Sequence, residues 1–288
     1  MMRQIKQILV AIDRSAMAEE ALKRAISIAK KKDAPLMVIH VIETPLIELP
    51  FLQSVDEDEI KKKITEQIDR LNKQANVTYA LFVLSGSAAD NILLEAQKTR
   101  ADLLVVGSHG KSDIDSDYFG STTIKLIQNT HIPVLIVKNE VKDIYQKMIA
   151  PTNMSDYSKE SILFANALFT KPSRKYLYAA ETISELQAMT YRISDEQRQA
   201  LRKEMAIKAK RALETFVKEI GGGETALMDF KASINEDLLA YIRDDKADLL
   251  VLGSKGVDNL NSFVFGSTAS YLVQRSPLDV LVYVPSST

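Results

Sequence analysis

Residues Ala101 to Lys138 read ADLLVVGSHGKSDIDSDYFGSTTIKLIQNTHIPVLIVK, and residues Ala247 to Val284 read ADLLVLGSKGVDNLNSFVFGSTASYLVQRSPLDVLVYV. Each stretch begins with an apolar run of strand length that stops at a glycine, and each continues with the spacing G-x2-G-x9-G-S. Two matches in register indicate a duplicated unit. The pattern falls on Gly107, Gly110, Gly120 and Ser121 in the first stretch, and on Gly253, Gly256, Gly266 and Ser267 in the second.

The order of residues in this stretch predicts a strand, a loop and a helix. A continuous apolar run bounded by glycine is typical of a parallel strand that helices cover on both faces. Glycine at its end permits a turn with positive φ and a close approach of backbone amides to a ligand. Gly120 and Ser121 are predicted to open a helix, whose unpaired amides and positive dipole end would suit phosphate. The spacing alone leaves two interpretations open: a nucleotide or phosphate site, and a tight turn with a capped helix that binds nothing.

Composition restricts the class of protein. The length of 288 residues suits two domains, and 37 basic against 38 acidic residues give no reason to expect nucleic acid or a membrane as partner. The absence of cysteine excludes disulfides and thiolate chemistry and fits a reducing cytoplasm. Neither a signal peptide pattern nor an apolar run of about 18 residues is present. We therefore expect a soluble, cytoplasmic protein.

The rest of the chain alternates strand and helix patterns twice. This β-α-β-α order implies parallel sheets with right-handed crossovers. The sequence thus predicts an α/β fold of two tandem, open, five-stranded Rossmann-like domains, residues 1–139 and 140–288, with six extra residues after the second strand of the second copy. The predicted strands are 7–12, 35–42, 77–84, 103–106 and 133–137, then 147–150, 176–182, 225–230, 248–252 and 280–284.

These features together resemble the universal stress protein family, and the resemblance covers essentially the whole chain as two tandem copies. It implies an adenine nucleotide alpha hydrolase-like sheet of five strands in each copy. ATP-binding members of the family carry G-x2-G-x9-G-[S/T] after strand four and an aspartate at the end of strand one. The resemblance implies a stress-response module that binds ATP or another adenine nucleotide, with or without Mg²⁺, and that is not an enzyme; weak ATPase activity stays open.

The family pattern also assigns site residues. In ATP-binding members the strand-one aspartate and a backbone group at the end of strand two contact adenine, while the glycine loop and the hydroxyls after it hold ribose and phosphates. Asp13 otherwise reads as a turn or N-cap residue. In the first copy the matching positions are Asp13, Val41, Gly107, His109, Gly110, Gly120, Ser121 and Thr122. In the second they are Asn153, Gly253, Gly256, Gly266, Ser267 and Thr268.

Each copy departs from the family pattern. The first loop carries Asp113, Asp115 and Asp117, which would repel a triphosphate unless a divalent cation bridges them to it or the loop points to solvent. The second copy has Asn153 in place of the aspartate and places Glu181 at the position assigned to Val41, although its loop is nearly neutral. We expect one working site, built on Asp13, and one degenerate site.

Nothing in the sequence indicates catalysis or a metal site. The three histidines are scattered; His40 and His131 read as structural, and only His109 lies in the glycine loop. Two further interpretations stay open. One is an interaction scaffold or hydrophobic-ligand binder with vestigial glycine loops, using the arms at 44–53 and 184–192. The other is an enzyme of the related adenylyl-transfer type.

The fifth strand of each copy, IPVLIVK and LDVLVYV, is apolar enough to pair edge to edge. Members with a single domain commonly dimerise through this strand. We therefore expect the two halves to form an internal pseudo-dimer through antiparallel pairing of these strands, with an unidentified protein partner and with further homodimerisation left open.

Overall fold

A computed structural model describes residues 5–43, 56–108, 120–142, 144–180, 190–229, 233–253 and 266–285. Within these ranges strands and helices alternate through both copies. In the first copy they are β1 (Ile8–Ile12), α1 (Ala16–Lys32), β2 (Leu36–Ile42), α2 (Glu57–Asn72), β3 (Tyr79–Ser85), α3 (Ala88–Lys98), β4 (Leu103–Gly107), α4 (Ser121–Asn129) and β5 (Val134–Val137). In the second copy they are β6 (Lys147–Pro151), α5 (Asp156–Leu168), β7 (Ser173–Ala180), α6 (Asp195–Glu219), β8 (Glu224–Asp229), α7 (Ile234–Asp244), β9 (Leu249–Gly253), α8 (Ser267–Arg275) and β10 (Asp279–Tyr283).

The chain divides into two compact units that do not coincide with the two copies. The first unit holds the described elements of the first copy together with β10, and the second unit holds β6 to α8. In the first unit the strand order is β3-β2-β1-β4-β5-β10, and in the second it is β9-β6-β7-β8. The α/β class and the parallel order of strands are as predicted.

The exception to parallel pairing is β10, which runs antiparallel to β5 with Val280 opposite Ile136 and Val282 opposite Val134. The two fifth strands therefore pair in the predicted sense. The pseudo-dimeric packing of the two halves and the boundary at 139/140 stay predictions.

The apolar runs of the central strands are largely buried, whereas β3 and β8 are only partly buried. The three residues Ile8, Leu9 and Val10 of β1 and the neighbouring Leu103 and Leu104 of β4 are 0% exposed. Both faces of these strands are therefore covered, as the continuous apolar pattern predicted.

The aspartate of each Ala-Asp-Leu-Leu-Val motif fastens the start of a neighbouring strand. Asp102 Oδ2 accepts hydrogen bonds from the backbone N–H groups of Lys6 (2.8 Å) and Gln7 (3.1 Å), just before β1. Asp248 does the same at the start of β6, accepting from the N–H groups of Gln146 (2.7 Å) and Lys147 (3.1 Å). The repeated aspartate thus has a structural role at the amino end of the sheet.

A buried aspartate at the start of β10 holds the segment that follows β5. Asp279 is 1% exposed, and its Oδ1 accepts from the N–H groups of Lys138 (2.9 Å) and Asn139 (3.1 Å) and from Asn139 Nδ2 (3.2 Å). Arg24 Nη2 lies 3.9 Å from Asp279 Oδ2. Glu20 Oε2 accepts from the N–H of Val141 at 2.7 Å, so residues 138–141 are bonded to both β10 and α1.

The paired register corrects one sequence alignment. Ile8 pairs with Leu36 in the first unit, while the residue equivalent to Ile8, Met148, pairs with Arg174 in the second. Counting along both strands, Ala179 corresponds to Val41 and Glu181 corresponds to Glu43. The prediction that Glu181 occupies the position of Val41 is therefore wrong, because the second copy is shorter between its first two strands; residue 181 itself lies outside the described part of the chain.

Candidate functional site

The carboxyl ends of β1, β2 and β4 border a cleft of about 500 Å³, the first cleft. Ligands of open α/β sheets bind at this edge, where successive strands leave the sheet in different directions. Helices α1, α3 and α4 begin beside it, since Ala18, Ala88 and Ser121 all line the cleft. Its described lining includes Asp13, Arg14, His40, Val41, Glu43, Gly107, Gly120, Ser121, Thr122 and Thr123.

A sharp turn at the end of β1 positions Asp13 and Arg14. Asp13 Oδ1 accepts a hydrogen bond from the N–H of Ser15 at 3.0 Å, and Ser15 in turn caps α1 by accepting from the N–H of Ala18 at 3.1 Å. Between them Arg14 has φ of 67°, an uncommon conformation for a side chain of its size. Asp13 therefore has the turn role and also lies in the cleft.

Neighbouring strands are tied together at the floor of the first cleft. His40 is buried, and its Nδ1 lies 2.8 Å from the carbonyl oxygen of Ile12, the last residue of β1. If Nδ1 carries the proton in this contact, Nε2 is the acceptor nitrogen of the ring. The hydrogen bond holds β2 against the strand end that leads into Asp13.

Glycine at the end of β4 is required for packing and not for a turn. A Cβ on Gly107 would stand 2.9 Å from the carbonyl carbon of Met17 in α1, closer than real contacts allow. The expectation of positive φ here is wrong, because Gly107 lies outside the left-handed region. Its carbonyl accepts from Thr123 Oγ1 at 3.2 Å, which anchors the first turn of α4 to the strand.

The two helices that follow the glycine loops begin in the same unusual way. Gly120 precedes α4 and Gly266 precedes α8, both with φ −57° and ψ 145°, and neither helix has a side-chain cap or an acidic residue in its first turn. Of the six other described helices, α7 also lacks a side-chain cap, and five are capped by side-chain oxygens, those of Ser15, Asp56, Ser87, Ser155 and Ser194. The first amides of α4 and α8 are thus left without a side-chain acceptor, beside a cleft.

A second cleft of about 320 Å³ occupies the equivalent place in the second unit. The turn is preserved, since Asn153 Oδ1 accepts from the N–H of Ser155 at 3.1 Å and Met154 has φ of 60°. Thr152 and Ser158 form a buried hydroxyl pair at 2.8 Å. None of the described residues around this cleft is an acid, a base or a histidine. They include Asn153, Leu177, Ala179, Ile234, Leu238, Leu252, Gly253, Gly266, Ser267, Thr268 and Leu272.

The structure thus gathers most of the predicted residues into two clefts. Those in the first are Asp13, Val41, Gly107, Gly120, Ser121 and Thr122, and those in the second are Asn153, Gly253, Gly266, Ser267 and Thr268. Other predictions lie outside the described residues: His109, Gly110 and Gly256, the carboxylates Asp113, Asp115 and Asp117, the arm at 44–53 and residues 184–189 of the second arm. Ligand contact by any of these residues stays a prediction.

Sequence reasoning missed Arg14, Glu43 and Thr123, and treated His40 only as structural. Arg14 could have been noticed by comparing the two copies, since Met154 takes its place after the strand-one turn. Thr123 and Glu43 carried no signal, because single polar residues near strand and helix ends are ordinary. Among the described residues, no group of three or more histidine, aspartate and glutamate side chains could hold a metal ion. No helix in the described ranges is long and apolar enough to span a membrane.

Comparison with known proteins agrees with the duplicated architecture. A family model described as the universal stress protein family matches residues 4–138 and matches again at residues 144–284. The chain belongs to the universal stress protein family. It is a tandem member, with one family domain in each half.

Individual relatives match one domain at a time. Universal stress protein MJ0531 of Methanocaldococcus jannaschii is 34% identical over 144 residues, which span 48% of this chain and 85% of the relative. Universal stress protein YxiE of Bacillus subtilis is 32% identical over 145 residues, 46% of this chain and 98% of the relative. Both therefore correspond to about half of this universal stress protein.

A solved universal stress protein from Archaeoglobus fulgidus matches over the full length. Its TM-score is 0.67 at 17% identity, with 98% of this chain and 99% of that chain covered. A putative universal stress protein from Pseudomonas aeruginosa gives a TM-score of 0.68 at 16% identity, with 97% and 93% covered. At these identities the likeness establishes the fold.

Proposed function

We propose that this universal stress protein binds an adenine nucleotide, ATP with or without Mg²⁺, in the first cleft. The observation that carries the proposal is the meeting of two different groups in one cleft: the carboxylate of Asp13 with the end of β2, and the start of α4 with no side-chain cap. The first group suits a base and the second suits phosphate.

The phosphate end of the proposed site rests on α4. The backbone amides of Ser121 and Thr122 follow Gly120, whose lack of a side chain leaves room for a ligand, and the hydroxyls of Ser121 and Thr122 add further donors. The absence of acidic residues from the first turn leaves the positive end of the helix dipole unopposed within the helix. Thr123, bonded to the carbonyl of Gly107, keeps this helix start fixed against β4.

The base end of the proposed site rests on the strands. Asp13 is held in its turn by the N–H of Ser15, and a carboxylate can accept from the exocyclic amine of adenine. Val41 lies on β2 near its end, one residue beyond His40, which is the partner of Ile12 in β1, and Val41 borders the same cleft.

The second cleft supports a weaker or absent nucleotide site. Asn153 has the same turn as Asp13 but lacks the charge, and the described lining offers a phosphate no cation. A second candidate function follows from this lining: a neutral, largely apolar ligand would fit the leucine-rich wall. Loss of binding of an apolar dye in Gly266→Val, with dye binding retained in Gly120→Val, would support that candidate.

The proposed role is that of a stress-response module in which bound nucleotide alters a surface that a protein partner recognises. This requires two conformations of the chain that bind the nucleotide with different affinity. We propose binding without catalysis, and we keep the cytoplasmic location as a prediction from the cysteine-free sequence.

Paired glycine variants test the proposed site. Gly120 and Gly266 share the same backbone angles, which valine can also adopt, so Gly120→Val and Gly266→Val place equal bulk at the two helix starts. Isothermal titration with ATP and magnesium should show binding to the parent chain and to Gly266→Val, and loss of binding in Gly120→Val. Unchanged affinity in Gly120→Val with loss in Gly266→Val would place ATP in the second cleft and overturn the proposal.

A further inference from the structure

We infer that Arg14 makes the first cleft selective for a phosphorylated ligand over the corresponding uncharged nucleoside. The inference rests on the proposed function and adds to it a residue that neither the glycine pattern nor the family resemblance assigns. It also explains how two clefts with similar backbone could differ in the ligand that they accept.

The backbone at this position is the same in both units while the side chain differs. Arg14 has φ of 67° and Met154 has φ of 60°, and each follows a residue whose side chain accepts from the N–H two residues on. Methionine therefore satisfies this turn as well as arginine does. The turn itself supplies no reason for a positive charge.

Local energetics also give the charge of Arg14 no structural purpose. The residue stands just before Ser15, the N-cap of α1, where the positive end of the helix dipole disfavours a cation. Its side chain is exposed, and among the described residues no carboxylate forms an ion pair with it.

The charge does have a purpose toward a ligand. The described charged residues of the first cleft are Asp13, Glu43 and Arg14, so Arg14 is the described cation that offsets two carboxylates there. Guanidinium binds phosphate oxygens through paired N–H donors. The start of α4, with Ser121 and Thr122, borders the same cleft and would share the phosphates with it.

The test compares ATP with adenosine in full-length chains that all carry Gly266→Val, so that only the first cleft is measured. A Cβ on Gly266 meets no atom of the described residues within 4 Å, and we expect this background to fold normally. Arg14→Met copies the residue that the second unit uses in the same turn, and Arg14→Lys keeps the charge. Titrations are run at about 0.05 M and about 0.3 M ionic strength, between which screening strengthens substantially.

We expect Arg14→Met to weaken ATP binding about tenfold at the lower ionic strength, the effect of losing one hydrogen bond to a charged group. Adenosine affinity should stay within about twofold, Arg14→Lys should retain most of the ATP affinity, and Arg14→Met should show a smaller salt dependence. Thermal unfolding checks that each variant is folded.

Three results would overturn the inference. Equal weakening of ATP and adenosine in Arg14→Met would make the residue structural, and unchanged affinity for both would remove it from the site while the proposed function stands. Absence of ATP binding by the parent chain itself would overturn the proposed function and this inference together.

The converse variant combines Met154→Arg with Gly120→Val and should gain ATP affinity in the second cleft. A failure to gain any would count against the claim that an arginine at this position of the turn selects for phosphate.

Discussion

Replacing Asp279 with alanine should destabilise the first unit more than any other single change at its strand ends. The buried carboxylate accepts three hydrogen bonds from Lys138 and Asn139, at 2.9, 3.1 and 3.2 Å. Alanine leaves the two backbone N–H groups without this acceptor, at the end of β5 where β10 pairs with it. Hydrogen bonds to a charged group contribute about 1.5–3 kcal/mol each and are not additive within one group.

We therefore expect Asp279→Ala to lower the free energy of unfolding of the first unit by about 3 kcal/mol. Arg24 Nη2, at 3.9 Å from Oδ2, is too distant for a strong charged hydrogen bond, but the substitution also removes a carboxylate close to this buried cation, which acts in the same direction. The matched control is Asp102→Ala, which removes the acceptor of two backbone N–H groups, one of them exposed. It should lower the free energy of unfolding by about 1 kcal/mol.

Urea unfolding followed by tyrosine fluorescence and circular dichroism measures both variants, with each unit fitted as its own transition. Hydrogen exchange supplies a local check, since the amides of Lys138 and Asn139 should lose protection in Asp279→Ala and keep it in Asp102→Ala. A change in unfolding free energy within about 0.5 kcal/mol of the parent, the scatter of neutral surface substitutions, would refute the assigned role of Asp279.

Three further predictions concern stability. Burial lowers the pKa of Lys138 to about 8 from an ordinary 10.5. Between these two values the unfolded chain binds more protons than the folded chain, so the free energy of unfolding should rise with pH by up to about 1.4 kcal/mol per pH unit. Urea titrations from pH about 7.5 to about 9.5 should show this rise in the parent chain and not in Lys138→Met. Gly107→Ala, whose Cβ meets backbone at 2.9 Å, should cost about 1–3 kcal/mol in thermal unfolding, whereas an equal loss in Gly266→Ala would contradict the packing argument. A hydrogen bond to Asp245 raises the pKa of Lys175, and a double-mutant cycle on this 2.6 Å pair should give a coupling of about 1–3 kcal/mol, with zero coupling excluding a structural ion pair.

The architecture was predictable from sequence because the patterns that specify its strands and helices are local and occur twice. Buried strands are recognisable as uninterrupted apolar runs, and α1 and α5 are capped by Ser15 and Ser155, a residue type that favours N-cap positions. The duplication supplied an internal alignment for β4 and β9, where Leu103 and Leu249 take equivalent partners in β1 and β6.

The alignment failed where the two copies differ in length before strand two. Helix α5 is shorter than α1, and β7 begins at Ser173, three residues earlier than predicted. Strand register is fixed by pairing across the sheet, which a comparison along the sequence cannot measure. Glu181 was misplaced for this reason.

The candidate site was predictable only in part. Asp13, Gly120 and Ser121 lie where the family pattern implies, but the reason for Gly107 is its contact with Met17, a partner distant in sequence. The role of Arg14 is inferred from its place beside the cleft and from the lack of a carboxylate paired with it in the described part of the chain. Such properties exist only in the folded chain, and no motif records them.

The most direct test of nucleotide binding is the nucleotide content of protein purified without added ligand. Acid extraction and chromatography would be applied to the parent chain, to Asp13→Ala and Gly120→Val, and to Asn153→Ala as the matched control in the second unit. We predict bound ATP in the parent chain and in Asn153→Ala, and its loss from both first-cleft variants. ATP retained by Asp13→Ala and Gly120→Val would contradict the assignment of the site, and a parent chain with neither bound nucleotide nor a thermal shift on adding ATP and magnesium would contradict nucleotide binding altogether.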